Sequence, residues 1–139
     1  MTARARIGLI DYGSGNLRSV AKALEAVGAE PHQIVSGPIP DGLDALVLPG
    51  VGAFGDSVRH LQERGLFQPI REWLTSQKKF LGICLGYQLL FQASEESPGV
   101  EGLGLFEGTV QRFRSAHLNF VGDVRSYAEP CHSGNAGSS

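Results

Sequence analysis

The sequence is poor in cysteine. Its 139 residues contain two, Cys84 and Cys131, and neither belongs to a C-x-x-C pair. This usage is typical of a protein kept in a reducing compartment and argues against a disulfide scaffold. No second Cys or His stands at the spacing of a metal site, so we expect no metal ion. We therefore expect a cytoplasmic protein that an apolar core stabilises.

Charge of one sign and long apolar runs are also scarce. The formal net charge is -2 without a run of one sign, so we expect neither nucleic acid nor an anionic membrane as partner. No segment approaches about 18 consecutive apolar residues, which argues against a transmembrane helix. The first apolar run stops at Asp11, too early for a secretory signal peptide. The hydrophobic content of 42% suits one domain with a substantial core.

Short apolar runs alternate with helical patterns over the first 113 residues. Strands are predicted at 6–11, 32–35, 44–48 and 79–84. The spacing of Leu17, Val20, Leu24 and Val27 predicts a helix that Gly28 ends. Two helices with a break near Gly65 and Pro69 are predicted before the fourth strand. A helix in YQLLFQAS and strand segments in GLGLFEGTVQRF follow it. This order predicts an α/β fold, with a mostly parallel sheet and helices on both faces.

Three of these strands end in glycine-rich loops, DYGSGN, LPGVGAFG and GICLGYQ. Functional groups of such sheets collect where strands end and helices begin. For YGSGN alone a plain turn is the better interpretation, and a phosphate cradle is the alternative. The sequence G-x-G-x-x-G is not matched and no G-K-[ST] follows, so we expect no nucleotide cofactor.

Cys84 lies between two glycines in the stretch GICLGYQLLF, residues 82–91. The pattern G-x-C-x-G between a strand and a helix is typical of a nucleophile elbow, which projects a reactive side chain above the sheet. There the Leu85 N–H can face a developing oxyanion, and the helix N-terminus favours the thiolate. An isolated cysteine is more often buried and inert. The elbow context favours a nucleophile instead.

Several stretches together resemble a known family. GICLGYQLLF is similar to the nucleophile elbow of class I (triad-type) glutamine amidotransferases, and LPGVGAFG resembles their oxyanion strand. DYGSGNLRSV and SEESPGVEGLGLFEGTVQRF resemble the corresponding segments of the glutaminase subunits of imidazole glycerol phosphate synthases. The resemblance covers about residues 6–113 and implies a flavodoxin-like fold that is incomplete at its C-terminus.

The resemblance implies a catalytic role for the elbow. Cys84 would attack the side-chain amide of L-glutamine, giving a thioester and releasing ammonia. The Leu85 N–H and a backbone amide of the oxyanion strand would hold the oxyanion. Glycines suit that strand because its backbone must approach the substrate closely and could turn a peptide over. The strand residues concerned are Gly50, Val51 and Gly52.

Two further positions match substrate contacts in the family. Gln88 corresponds to a residue that contacts bound glutamine, and Glu96 to an acidic residue that helps hold its amino group. The alternatives are a polar helix residue for Gln88 and a solvated surface charge for Glu96.

The resemblance also implies a partner. Ammonia would pass to a cyclase subunit, a (β/α)8 barrel that forms a heterodimer with the glutaminase. The YGSGN loop, with Asn16, lies near that interface in relatives and would couple partner binding to activation.

The chain departs from the family in its last part. The cysteine of this class normally needs a positioned His base and a carboxylate, supplied in the family by H-P-E. That motif is absent from the 139 residues, and His117 and His132 have no Glu two residues later. The family's P-H-x-G-W segment is missing too. Residues 114–139 lack periodicity and end in a Gly/Ser-rich run. We expect a partial amidotransferase domain over 1–113 and an unrelated, disordered tail over 114–139.

Two interpretations of function remain open. The chain is either an amidotransferase subunit impaired by its missing catalytic pair, or a non-catalytic module that keeps the glutamine pocket or the cyclase-docking surface.

Overall fold

A computed structural model of the chain describes residues 4–112. Its elements, in chain order, are β1 (Arg6–Ile10), α1 (Leu17–Ala26), β2 (Glu30–Ile34), β3 (Ala45–Leu48), α2 (Phe54–Glu63), α3 (Phe67–Thr75), β4 (Lys79–Gly82), α4 (Leu85–Gln88), β5 (Phe91–Ser94) and β6 (Phe106–Val110). The four predicted strands of the main sheet are confirmed, with ends that differ by up to two residues. The predicted tail over 114–139 and the boundary at 113 lie outside the described residues.

The main sheet has the strand order β2-β1-β3-β4, and every pair in it is parallel. The chain therefore starts in the interior of the sheet, adds β2 on one side and then β3 and β4 on the other. Right-handed crossovers that run in opposite directions place their helices on opposite faces. The mostly parallel α/β fold predicted from the alternating pattern is confirmed.

The hydrophobic core cluster lies between the sheet and the helices α2 and α3. It joins Ile10, Leu46 and Leu48 of the sheet to Phe54, Val58, Leu61, Ile70 and Trp73 of the helices. The half-buried Val20 and Leu24 of α1 lie outside this cluster. Truncating a fully buried leucine of the cluster, such as Leu46 or Leu61, to alanine typically costs about 2–5 kcal/mol of stability, because a cavity remains.

The end of α1 follows the predicted glycine signal. Gly28 adopts a φ of 88°, and its N–H donates to the Glu25 carbonyl at 3.0 Å. The next amide, that of Ala29, donates to the Leu24 carbonyl at 2.9 Å. A left-handed residue after the last helical turn satisfies carbonyls that the helix leaves free, and glycine adopts it at low cost.

Two predicted details are wrong. Pro69 does not break a helix, because it occupies the third residue of α3, where the missing N–H has no partner within the helix. The predicted break near Gly65 is confirmed: it lies at Arg64–Leu66, with Gly65 at a φ of 67°. The helix predicted over YQLLFQAS ends at Gln88, and its second half is the strand β5.

The strand β5 forms where that helix was predicted because it pairs with a distant partner. β5 and β6 form a separate, two-stranded parallel sheet. The Phe91 and Phe106 rings lie 5.5 Å apart between their centroids. A short apolar run such as LLF cannot distinguish strand from helix by its own period.

Within residues 4–112, no helix is long and apolar enough to cross a membrane.

Candidate active site

The loops that follow β1, β3 and β4 lie side by side because these strands are neighbours in a parallel sheet. They are the three glycine-rich loops of the sequence, residues 11–16, 49–53 and 83–84. Gly15 lies close to the second loop: a Cβ there would be 3.3 Å from the Gly50 nitrogen. The carboxyl edge of the sheet therefore brings all three loops together, as expected for a functional site.

Cys84 sits at a strained turn between β4 and α4. Its φ is 55° and its ψ is -121°, a combination that a residue with a Cβ rarely adopts. Such a conformation costs about 1–3 kcal/mol and persists where the surrounding structure enforces it. The Ile83 N–H holds the turn by donating to the Leu48 carbonyl at 3.0 Å. The side chain is exposed, so the predicted elbow position is confirmed.

The two glycines that flank Cys84 are required by close packing. A Cβ on Gly86 would overlap the Leu48 carbonyl oxygen of β3. A Cβ on Gly82 would lie 2.8 Å from the Gly86 oxygen and from the Tyr87 nitrogen. The first turn of α4 therefore sits directly against the ends of β3 and β4. The G-x-C-x-G pattern is the sequence signature of this contact.

A pocket of about 460 Å³ opens beside Cys84. All seven predicted site residues line it: Gly50, Val51, Gly52, Cys84, Leu85, Gln88 and Glu96. Sequence reasoning missed its remaining lining residues, which are Ser94, Glu95, Val110, Gln111 and Arg112. These five lie at or directly after the ends of β5 and β6. Ser94 stands in the stretch predicted to be a helix, whereas Val110, Gln111 and Arg112 stand in the predicted strand segments of GLGLFEGTVQRF. No local pattern shows that these two stretches pair, so the second wall of the pocket could not be placed.

The backbone amide expected to hold an oxyanion is engaged in this structure. The Leu85 N–H donates to the Gly50 carbonyl at 3.2 Å. The next residue of the oxyanion strand, Val51, is fixed by Ser14. Its N–H donates to the Ser14 Oγ at 3.0 Å, and the same hydroxyl donates to its carbonyl at 2.6 Å. These bonds hold the oxyanion strand in an orientation in which the Gly50 carbonyl accepts from the Leu85 N–H, so this amide is not free to bind an oxyanion.

The residues after β5 cap a helix from a distance. The Glu96 Oε1 accepts a hydrogen bond from the Phe54 N–H at 2.9 Å, and the Ser97 Oγ accepts one from the Gly55 N–H at 2.8 Å. The residue before α2, Ala53, offers no side-chain cap of its own. Two amides that a helix leaves unpaired are therefore satisfied by residues 42 positions further on. Glu96 has a structural role in addition to its place in the pocket wall.

The loop after β1 has a turn structure built by its own residues. Asn16 caps α1, and its Oδ1 accepts a hydrogen bond from the Ser19 N–H at 3.4 Å. Gly13 and Gly15 have φ values of 89° and 99°. The plain-turn interpretation of this loop accounts for these glycines, and the loop also contacts the oxyanion strand through Ser14.

Within residues 4–112, no histidine lines the pocket. The His32 Nε2 lies 2.6 Å from the Glu30 carboxylate at the start of β2, and His60 lies on α2. The described residues also contain no group of three His, Cys, Asp or Glu side chains that could hold a metal ion. His117, His132 and Cys131 lie outside the described residues.

The family model of the CobB/CobQ-like glutamine amidotransferase domain matches residues 12–133. The chain is 50% identical over 114 residues to imidazole glycerol phosphate synthase subunit HisH of Thermus thermophilus, covering 82% of the chain and 58% of that protein. It is 52% identical over 108 residues to the subunit of the same name from Nostoc punctiforme, covering 78% and 51%. The chain thus spans about half the length of the curated relatives it matches.

Solved structures agree with the fold. A structure described as the crystal structure of glutamine amidotransferase superposes with a TM-score of 0.65 at 25% identity, covering 76% of this chain and 56% of that one. The structure of PurLQS from Thermotoga maritima gives a TM-score of 0.54 at 25% identity, covering 63% and 43%.

Proposed function

Because this chain belongs to the CobB/CobQ-like glutamine amidotransferase family, we propose that it is the glutaminase part of an imidazole glycerol phosphate synthase. The observation that carries the proposal is the position of Cys84. It lies exposed on a strained elbow, in one pocket with the glycine loop of residues 50–52. A pocket of this size accommodates a free amino acid such as glutamine.

The proposed reaction splits the amide hydrolysis into two steps. The Cys84 thiolate attacks the side-chain amide carbon of L-glutamine, and the C–N bond breaks as the nitrogen takes a proton and leaves as ammonia. Water then attacks the γ-glutamyl thioester, the C–S bond breaks, and glutamate and the free thiol are formed. Each step passes through an oxyanion, so each depends on amides that face the elbow.

The oxyanion site needs a rearrangement of the residues that line it. The Leu85 N–H can donate to an oxyanion only after the Gly50 carbonyl has left it. Turning over the peptide between Gly50 and Val51 releases this amide and redirects the Val51 N–H. No side chain at position 50 obstructs the movement, which supports a role for glycine there.

The pocket offers groups for the rest of the substrate. Gln88 lies on the first turn of α4, on the pocket wall beside the elbow, where its amide can bond to the substrate's polar head. Glu96 supplies a carboxylate for the ammonium group. One of its oxygens accepts from the Phe54 N–H, which fixes the orientation of the other. We propose these two residues as the substrate-binding groups.

A cyclase subunit is the proposed partner and receives the ammonia as a heterodimer with this chain. The name of the relatives as subunits of a synthase supports an assembly. The loop after β1 contacts the oxyanion strand through Ser14, so a partner docked on that loop could act on the elbow. We place the protein in the cytoplasm, since its cysteines do not form a disulfide pattern.

A second function is favoured by one observation. The 139 residues contain no H-P-E motif, and no histidine of residues 4–112 lines the pocket. A pocket that no histidine of residues 4–112 lines could still bind glutamine, and the chain could bind the cyclase, without turnover. In this reading the pocket serves binding only, and Cys84 forms no thioester.

Acylation by glutamine separates these two functions. The protein is mixed with L-glutamine, quenched in acid and examined by intact-mass and peptide mass spectrometry. A γ-glutamyl adduct on Cys84, absent from Cys84→Ala, is expected for the amidotransferase. Protection of Cys84 against alkylation by iodoacetamide in the presence of glutamine, without a γ-glutamyl adduct, would favour the binding module. Neither adduct nor protection would contradict both. Titration calorimetry with a cyclase subunit tests the partner, and no binding would refute it.

A further inference from the structure

The hydroxyl group of Tyr12 is buried without a hydrogen-bond partner among residues 4–112. The side chain is fully buried in the core beneath the site. Burial raises the pKa of Tyr12 above its ordinary value. The neighbouring hydroxyls of Ser57 and Ser14 act in the opposite direction, although neither reaches the distance and angle of a hydrogen bond to it. An unpaired buried hydroxyl is destabilising, so its presence calls for a reason.

This hydroxyl lies directly against the oxyanion strand. A Cβ built on Gly50 would overlap the Tyr12 oxygen, whereas the Leu85 Cβ would be 3.4 Å away. The carbonyl of Gly50 is at present bound to the Leu85 N–H. The Tyr12 hydroxyl is therefore a donor placed beside the Cα of Gly50, the residue whose carbonyl now accepts from the amide that the reaction needs.

We propose that Tyr12 is a positioning residue whose hydroxyl donates to the Gly50 carbonyl when the Gly50–Val51 peptide turns over and frees the Leu85 N–H. The inference rests on the proposed function, since it concerns the oxyanion that Cys84 creates. It assigns a task to a buried group that the reaction itself does not use.

The Gly50 carbonyl has a hydrogen-bond partner in both orientations. In the orientation observed, the Gly50 carbonyl has a partner and the Tyr12 hydroxyl has none. In the turned orientation, the carbonyl pairs with Tyr12 while the Leu85 N–H pairs with the oxyanion. Without the hydroxyl, the turned carbonyl would be left unpaired in a buried place. Deleting the hydroxyl would therefore remove a hydrogen bond from the reactive orientation alone.

Two reagents separate this role from a structural one. A glutamine-derived chloroketone first adds the thiolate at its carbonyl as a tetrahedral oxyanion, after which sulfur displaces chloride, the carbonyl re-forms and a thioether remains. Iodoacetamide alkylates the same sulfur by direct displacement of iodide, without an oxyanion. Tyr12→Phe keeps the ring and deletes the hydroxyl. We expect its Cys84 to react about fivefold to tenfold more slowly with the chloroketone, the effect of one hydrogen bond. Its iodoacetamide rate and its urea-unfolding midpoint should not fall.

The outcomes also separate the inference from the proposed function. If the parent protein shows no preference for the glutamine chloroketone over chloroacetone, the proposed function fails. If the parent shows that preference and Tyr12→Phe reacts equally fast with the chloroketone, only the role of Tyr12 is refuted.

A crystal structure of the parent protein with a glutamine-derived aldehyde on Cys84 supplies a second test that needs no variant, because the hemithioacetal adduct keeps the tetrahedral oxygen. We expect the Tyr12 oxygen within hydrogen-bond distance of the Gly50 carbonyl. A Gly50 carbonyl that still accepts from Leu85 in the adduct would overturn the inference.

Discussion

The amide nitrogen of Leu85 donates to the carbonyl oxygen of Gly50 at 3.2 Å, and both residues line the pocket that contains Cys84. The first residue of α4 and the loop after β3 therefore satisfy each other's backbone hydrogen-bonding groups. A reaction that creates an oxyanion at Cys84 has to open this bond, whereas a simple alkylation does not. Reagents of the two kinds can thus report separately on the thiol and on the oxyanion strand.

Removal of the Ser14 hydroxyl should favour the turned strand. This hydroxyl bonds to both the N–H and the carbonyl of Val51 in the orientation observed. We expect Ser14→Ala to increase the rate of Cys84 with a glutamine chloroketone about threefold to tenfold, the worth of one hydrogen bond. Ser19→Ala on the exposed face of α1 is the control. An unchanged rate for Ser14→Ala would show that the hydroxyl does not restrain the strand.

The cap of α2 should contribute measurably to stability. Ser97→Ala removes the acceptor of the Gly55 N–H, and loss of a helix cap typically costs about 1 kcal/mol. Equilibrium urea unfolding gives the change in free energy. Ser19→Ala, an exposed helical serine, should stay within about 0.5 kcal/mol of the parent. A loss from Ser97→Ala no greater than that of the control would contradict the capping role.

Stability should fall at high pH because of Tyr12. Burial raises its pKa above the ordinary value of 10.0, so the unfolded chain loses this proton before the folded chain does. The stabilisation is complete below pH 10 and is lost as the pH rises through the folded pKa. Urea unfolding between pH 9 and about pH 11 should show a steeper fall for the parent than for Tyr12→Phe. Parallel curves would indicate that the buried hydroxyl titrates normally.

The 139-residue polypeptide should release little glutamate from glutamine, even with a cyclase subunit present. Protonation of the departing nitrogen and activation of water need an acid–base group, worth roughly 10²–10⁴-fold in rate. No histidine of residues 4–112 lines the pocket, and the sequence contains no H-P-E motif. A full-length relative is the control for the glutamate assay. Turnover near that control, abolished by Cys84→Ala, would reveal a base among the remaining residues.

The elbow could be predicted because its causes are local. Gly82 and Gly86 are needed to bring α4 against the strand ends, and both stand next to the cysteine in the sequence. The four parallel strands were predictable for a similar reason, since each is a short apolar run bounded by turn residues.

The rest of the site depends on contacts that no local pattern shows. β5 is set by its pairing with β6, so the apolar run that contains it was mistaken for a helix. The cap that Glu96 and Ser97 provide joins residues 42 positions apart. The contact of Tyr12 with Gly50 exists only because β1 and β3 are neighbours in the sheet.

Selective labelling tests the central claim most directly, namely that Cys84 is the nucleophile of a glutamine pocket. The protein is treated with a limiting amount of a glutamine-derived chloroketone, digested and examined by mass spectrometry, with and without L-glutamine. We predict that Cys84 is labelled ahead of Cys131, and that L-glutamine protects it in a concentration-dependent way. Preferential labelling of Cys131, or labelling of Cys84 that L-glutamine does not reduce, would contradict the account.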